Sequence, residues 1–350
     1  MNAKVLRFGA VGAGFWARFQ LAAWKELQGV ECVALCDRFS EKAESLAHHL
    51  SIQRVYSDVD LLLRQEQLDF VDVITEVDSH APLVRKAASY GLPVICQKPM
   101  ASSLNVAKQM VRNCSEAAVP LFIHENWRWQ TPIRRLKELL VLGKVGTPIR
   151  ARVQFVTGFD FLKNQPGLAS VEQLLLADLG VHILDTTRFL FGEADSLYCQ
   201  TQRVHRGIRG EDMGTLVLKT TAGMTVICQL AYSGIPVEHD HFPQTFVFVE
   251  GERGSVELCA DYWIRLTTEE GTLARRYPPP RYAWADPAYE VVHASMVLCN
   301  ESFLRELQGQ GTAETTGEDQ LRTARLVFAA YESAARGEVV RLPTSSGVCS

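Results

Sequence analysis

Lys98 leaves an apolar run, Leu92-Pro93-Val94-Ile95-Cys96, and is held between Gln97 and Pro99. A lysine needed only for solubility has no use for that position. One that must present its ammonium to a ligand does. Proline fixes its own φ and restricts the residue before it, so Lys98-Pro99 sets the direction in which the chain leaves the run. A second cluster lies in "LLLADLGVHILDTTRFLFG", where Asp178 and His182 stand four residues apart and Asp185 follows three further on. On a helix Asp178 and His182 share a face. A carboxylate beside an imidazole orients the ring and raises its basicity, which tunes a general base. The same spacing also suits a half-buried histidine resting against a helical carboxylate, and spacing alone leaves both readings open.

A third group is built to hold an anion. Gly12-Ala13-Gly14-Phe15-Trp16-Ala17 fits G-x-G-x-x-G/A, follows a strand pattern, opens a helix pattern, and is followed 23 residues after Gly14 by Asp37. Gly12 permits a tight turn, Gly14 lets the backbone approach a pyrophosphate, and Ala17 lets helix and strand pack closely. The helix N-terminus, with Phe15 and Trp16 in its first turn, offers N–H groups to the anion. Asp37 would accept hydrogen bonds from both adenosine ribose hydroxyls and repel a 2′-phosphate, which favours NAD over NADP. Arg38 and Ser40, directly after it, soften that preference.

These residues require elements that position them. Strand patterns cover Val5–Val11, Glu31–Cys36, Phe70–Thr75, Leu92–Cys96 and Val119–His124, with a short one near Arg54–Tyr56. Helical spacing marks Phe15–Leu27, Glu41–Leu50, Pro82–Tyr90 and Leu104–Cys114 between them. Such alternation implies a parallel, doubly wound sheet with right-handed crossovers. Ligands in such folds sit outside the carboxyl ends of the strands. Thr75-Glu76, Gln97-Lys98 and His124-Glu125-Asn126 fall there. His80, placed at the opening of the next helix, either touches the cofactor or substrate or caps that helix. Asn126 and Arg128 alternate with Trp127 and Trp129. Two tryptophans can wall a ligand site, but core packing claims at least one of them.

From Thr131 the pattern changes. A helix runs to Gly143, with Pro132 in its first turn. Strands follow at Ile149–Val156, Leu197–Gln202, Gly214–Thr220, Gly223–Tyr232, Thr245–Glu250 and Gly254–Leu258, which read as an antiparallel or mixed sheet. A helix at Val171–Phe191 interrupts them, and another at Glu318–Arg336 follows a Thr316 cap. At about 150 residues per domain, 350 residues suggest two. The expected division is 1–126, 127–343 and a flexible tail at 344–350.

The bulk numbers exclude little and favour a soluble globular protein. Net charge is −4 with no long run of one sign, which argues against nucleic acid or an anionic membrane as partner. No apolar stretch reaches the ~18 residues that span a bilayer. The N-terminus lacks a signal-peptide pattern, so a cytoplasmic location is expected. Nine cysteines with no C-x-x-C pair read as free thiols in a reducing compartment rather than a zinc site. His239-Asp240-His241 hints at a metal, but without a third ligand at clear spacing a solvated polar loop is the better reading, and no metal is expected.

Taken in order, GAGFWA, ALCDR, HAPLV, CQKP, ENWRWQ, GKVGTP, DLGVHILD, GERGSVEL and GEDQLRTARLVFAAYESAARG resemble the motifs of the Gfo/Idh/MocA oxidoreductases over nearly the whole chain. The resemblance implies a Rossmann domain followed by an α/β domain whose open-faced, mostly antiparallel sheet serves oligomerisation, here a homo-oligomer (dimer or tetramer). It implies that Lys98, Asp178 and His182 are the catalytic group. Lys98 would stabilise the oxygen of a reacting sugar hydroxyl and His182 would take its proton. Asp178 would hold His182 or bind substrate, with Asn126 and Arg128 also on the substrate side. Thr75, His80, Gln97, Lys98 and Asn126 join the loop residues around the cofactor. The family's usual Glu-Lys-Pro is Gln97-Lys98-Pro99 here. The implied activity is NAD-dependent oxidation of an aldose or polyol. The spelling QKPM together with HENWRWQ resembles, more narrowly, the subfamily that dehydrogenates D-apiose. An NAD-using glycoside hydrolase and a non-catalytic sensor are the alternatives in the same superfamily.

Overall fold

The computed structural model describes residues 4–163, 165–232 and 241–343. The chain divides into two units, Met1–Asn126 with Arg281–Asp286 and His293–Ala324, and Trp127–Pro280 with Pro287–Val292 and Arg325–Ser350. The tail expected at 344–350 lies outside the described residues.

The first unit is built on six strands: β1 (Leu6–Val11), β2 (Val30–Cys36), β3 (Arg54–Tyr56), β4 (Phe70–Val73), β5 (Val94–Gln97) and β6 (Leu121–His124). Their order is β3-β2-β1-β4-β5-β6 and every pairing is parallel, as in the doubly wound dinucleotide fold. The strands are almost continuously apolar because helices cover both faces: α1 (Phe15–Trp24), α2 (Ser40–Leu50), α3 (Val59–Gln65), α4 (Val77–Ser89) and α5 (Leu104–Glu116). Val71, Val73, Val94, Cys96, Val84 and Met110 form one core layer. On the other side Phe8, Phe70 and Trp24 pack ring against ring, with Phe8 and Phe70 centroids 4.8 Å apart.

Residues 281–286 and 293–324, expected in the second domain, group instead with the first. The reason is side-chain burial. Phe303 stacks on Phe122 with centroids 5.2 Å apart, Asn300 bonds His124, and Ile123 N donates to Thr315 O at 2.9 Å.

The second unit contains α6 (Thr131–Val141), which ends before Gly143 at φ 63°, then a nine-stranded sheet. Its strands are β7 (Pro148–Thr157), β8 (Ala194–Gln202), β9 (Met213–Thr220), β10 (Thr225–Tyr232), β11 (Phe246–Gly251), β12 (Gly254–Leu258), β13 (Trp263–Thr268), β14 (Gly271–Arg276) and β15 (Val340–Arg341). All pairings are antiparallel except β10 with β7. β9 alternates strictly between buried and exposed residues, the mark of a sheet with one covered and one open face. Ile149, Val217 and Ile227 are exposed.

The helix expected at Val171–Phe191 is shorter than its pattern. Residues 171–174 are not helical; a π-type turn occupies Leu176–Gly180, and α7 is Val181–Phe191. Glu211 causes this. Its carboxylate accepts from Leu174 N and Leu176 N at 3.2 and 3.0 Å, and its carbonyl accepts from Leu175 N at 3.2 Å. Those bonds tie the approach to Glu211 rather than to a preceding turn. Two helices complete the chain, α8 (Glu290–Leu307) and α9 (Gly317–Arg336), the latter capped by Thr316 Oγ1 accepting from Asp319 N at 3.2 Å.

Candidate active site

At the carboxyl end of β1 the loop has the geometry its glycines require. Gly12 sits at φ 108°, and a Cβ there would come within 2.1 Å of the Ile74 carbonyl oxygen. Gly14 caps α1 in extended conformation, with nothing within 4 Å of where a Cβ would project. Gly14 has no side chain to cap that helix and the first turn holds no acidic residue, so the positive end of the dipole faces the loop. Asp37 follows β2, where Oδ2 accepts from Ala13 N at 2.8 Å and Oδ1 from Phe39 N at 2.9 Å. Each oxygen keeps a further lone pair for a ribose hydroxyl. Arg38 lies over the Phe39 ring at 4.9 Å. Phe15 is 40 % exposed beside the loop, while Trp16 packs edge-on to His293. These residues fit a dinucleotide: a turn only glycine permits, open backbone for the pyrophosphate, and a carboxylate for the ribose.

Thr75 Oγ1 accepts from Ser79 Oγ at 2.7 Å at the exit of β4. His80 departs from its expected place. It lies inside α4 rather than at its opening, because the helix begins at Val77, and it is wholly buried. Its Nε2 lies 3.0 Å from the Thr75 carbonyl and its Nδ1 3.1 Å from that of Pro99. The ring therefore braces the exit of β4 against the exit of β5, and contact with a ligand gives way to that role. Burial holds the imidazole below its ordinary pKa.

Lys98 stands half-buried directly after β5, joined to Pro99 by a cis peptide bond. Gln97 is buried, and its Oε1 accepts from Lys98 N at 2.9 Å. Asn126, past the end of β6, is 5 % exposed and donates from Nδ2 to Ser295 Oγ at 2.8 Å. Thus Gly12, Gly14, Asp37, Thr75, Gln97 and Lys98 all lie at the carboxyl ends of one parallel sheet.

In the second unit the two tryptophans and Arg128 are buried. Arg128 donates from Nε and Nη2 to the two oxygens of Asp185 at 2.7 and 2.5 Å. The guanidinium expected to meet a substrate is one half of a buried ion pair, as a desolvated arginine requires. Trp129 lies under the Arg134 guanidinium at 4.4 Å. Trp127 donates from Nε1 to Thr245 Oγ1 at 2.8 Å and lies against His182 with ring centroids 4.2 Å apart. Asp178, on the π-type turn, is partly exposed, and its Oδ2 accepts from the Tyr232 hydroxyl at 3.2 Å. Burial and the facing carboxylate drive the Tyr232 phenol well above its ordinary pKa, which keeps it a donor. Asp178 is thus held by Tyr232 and His182 by Trp127, partners that sequence spacing does not reveal. A tyrosine at the end of an apolar strand carries no signal of its own.

Asp72 also escapes the sequence reading, although a carboxylate in the middle of the apolar strand Phe70-Val71-Asp72-Val73 is a legible oddity. It is wholly buried and accepts from Gln20 and Trp24. Among the described residues no three His, Cys, Asp or Glu side chains are grouped to hold a metal ion. His239 and Asp240 lie outside the described residues, and His241 Nδ1 is 3.8 Å from Asp261. The eight described cysteines are free thiols. Among the described residues no helix is long and apolar enough to cross a membrane.

Comparison with known proteins shows the family. Residues 6–125 match the family model described as an oxidoreductase family with an NAD-binding Rossmann fold, and residues 133–257 match the Gfo/Idh/MocA C-terminal domain. The chain belongs to the Gfo/Idh/MocA oxidoreductases, and it is an NAD-dependent dehydrogenase. It is 41% identical to a D-apiose dehydrogenase of Paraburkholderia graminis, over 97% of this chain and 90% of that one. It is 38% identical to a D-apiose dehydrogenase of Rhizobium rhizogenes, over 97% and 98%. A solved oxidoreductase from Agrobacterium radiobacter, in complex with NAD+, L-tartaric acid and magnesium, matches with a TM-score of 0.94 at 38% identity, covering 97% of this chain and 98% of that one.

Proposed function

We propose that this dehydrogenase oxidises a hydroxyl-bearing carbon of a free sugar, with D-apiose, oxidised to its lactone, the first substrate to test. The observation that carries the reading is His182, held flat against Trp127 close in sequence to an Asp178 that Tyr232 holds in turn. An imidazole with one allowed plane suits removal of a proton from a substrate hydroxyl. The long similarity to two D-apiose dehydrogenases supports the choice of sugar. NAD, when bound, supplies the nicotinamide carbon that takes the hydride. His182 accepts the hydroxyl proton as the hydride leaves. Lys98 donates a hydrogen bond to the same oxygen and stabilises its developing negative charge. Asp178 orients His182 or binds a neighbouring hydroxyl. General acid–base help of this kind is typically worth about 100- to 10,000-fold.

The test is a panel of aldoses, polyols and glycosides with NAD, read by NADH absorbance. Net NADH with D-apiose above the other free sugars supports the reading. Release of an aglycone without net NADH would replace it with the hydrolase, and silence across the panel with NAD binding intact would replace it with the sensor.

We also place the enzyme in the cytoplasm as a homo-oligomer through the open face of its second sheet. The free thiols support the compartment, and exposed Val217 and Ile227, paired across β9 and β10, support the interface. Light scattering that returns the mass of a single chain would sink the oligomer.

A further inference from the structure

Beside the strand that delivers Lys98 lies a carboxylate with no access to solvent. Asp72 is central in β4 and faces α1, whereas its neighbours Val71 and Val73 belong to the opposite core layer. Trp24 Nε1 donates to Asp72 Oδ2 at 2.9 Å, and Gln20 Nε2 donates to Oδ1 and Oδ2 at 2.8 and 2.9 Å. Burial pushes this carboxyl up to about 7, with the bonds from Trp24 and Gln20 holding it down.

The donors and acceptors beyond Asp72 follow one another in a forced order. An ionised Asp72, the form that prevails above about pH 7, only accepts, so Gln20 must turn its amide nitrogen toward it. The Gln20 Oε1 then faces away and accepts from Gln97 Nε2 at 2.6 Å. With its nitrogen committed there, Gln97 turns Oε1 back to the main chain, where it accepts from Lys98 N at 2.9 Å. Gln97 Nε2 also lies 3.4 Å from His124 Nδ1, and His124 Nε2 lies 3.0 Å from Asn300 Oδ1, so the imidazole carries its proton on Nε2. Each amide is oriented by the group before it, and the series ends on the N–H of Lys98.

We propose that Asp72 is a positioning residue for Lys98, acting through Gln20 and Gln97, and that it is the reason glutamine stands at position 97. A glutamate there sets a carboxylate against the Gln20 Oε1, two acceptors in contact. Turning the Gln20 amide over relieves that contact but places Oε1 against Asp72. An ionised Asp72 and an ionised residue 97 therefore cannot both be satisfied through one glutamine. Replacing Asp72 by asparagine removes the conflict, since its amide nitrogen can donate to a turned Gln20. This inference rests on the catalytic reading of Lys98 given above.

The experiment compares wild type, Asp72→Asn, Gln97→Glu and the double variant in kcat, KM for the sugar, NAD affinity and thermal midpoint. Each single change should lower kcat about tenfold with KM little altered, within the coupling range of residues in one hydrogen-bond network. The double variant should recover kcat to within about threefold of wild type. Losses that simply multiply in the double variant overturn the relay. Gln97→Met, which can neither donate nor accept, gives a second route if a single variant does not fold. In that background Asp72→Asn should have no further effect on kcat, and an undiminished effect overturns the proposal. Lys98→Met separates the two ideas. If it retains wild-type turnover the catalytic reading of Lys98 fails, while the coupling between positions 72 and 97 is still read in the thermal midpoints.

Discussion

The indole of Trp127 and the imidazole of His182 lie face to face, with ring centroids 4.2 Å and planes 23° apart. The indole cannot swing away, because its Nε1 is tied to Thr245 Oγ1 at 2.8 Å. A stacked pair of this kind fixes the imidazole plane and thus the direction in which a ring nitrogen meets a substrate. Trp127→Leu should preserve NAD affinity and lower kcat several-fold. Unchanged single-turnover NADH formation in that variant would show that the stacking is only packing.

His182 itself should carry the pH dependence of oxidation. The base must be deprotonated to take the hydroxyl proton, so the single-turnover rate should rise with pH through one ionisation and then level. His182→Ala should abolish the rise and lower the rate by about 100-fold or more. Asp178→Asn should do less, because the imidazole and its Trp127 support remain. Should His182→Ala keep the wild-type profile, another residue accepts the proton.

Asp37 should set the choice of dinucleotide. Its carboxylate is fixed by the N–H groups of Ala13 and Phe39, where a 2′-phosphate would meet it charge to charge. NAD should bind more tightly than NADP in titration. Asp37→Ala should narrow the gap, leaving Arg38 to favour the phosphate. Tighter NADP binding by wild type contradicts the assignment.

Lys98→Met should retain NAD binding and lose most of its turnover, since it removes the ammonium that meets the developing alkoxide. Fluorescence titration of NAD beside steady-state kcat checks both halves. Equal kcat in mutant and wild type would remove Lys98 from the chemistry.

Asp72 should make stability fall as pH rises through a defined window. Its folded-state pKa, about 7, lies above the unfolded carboxylate value near 4. The folded chain keeps a proton that the unfolded chain releases, so the stabilisation is complete below about pH 4 and is lost as pH rises to about 7. Three units at 1.36 kcal/mol each bound the effect at about 4 kcal/mol. Thermal melts of wild type and Asp72→Asn from pH 4 to 8 should show their difference shifting in favour of the asparagine variant across that window. A difference independent of pH would mean that Asp72 titrates normally.

The sequence alone determined what is local. The turn at Gly12 is specified locally, because its positive φ favours glycine, while the close approach to Ile74 comes from the neighbouring strand. Asp37 and Lys98 follow from strand ends, and Asp178 with His182 from helical spacing. Tertiary structure decided where those groups find partners. Gln97 meets Gln20 across 77 positions and Trp127 meets Thr245 across 118, separations over which no periodicity carries information. It also decided that α8, buried nearly all round and so lacking an apolar stripe, joins β6, and that β14, exposed along its whole length, is a strand at all. Glu211 shortened the helix before Asp178 by taking its backbone amides, a competition settled by contacts and invisible to propensity. The physical reason is the same in each case. Backbone geometry is chosen by adjacent residues, whereas a buried donor or acceptor takes whichever partner the completed fold brings within reach.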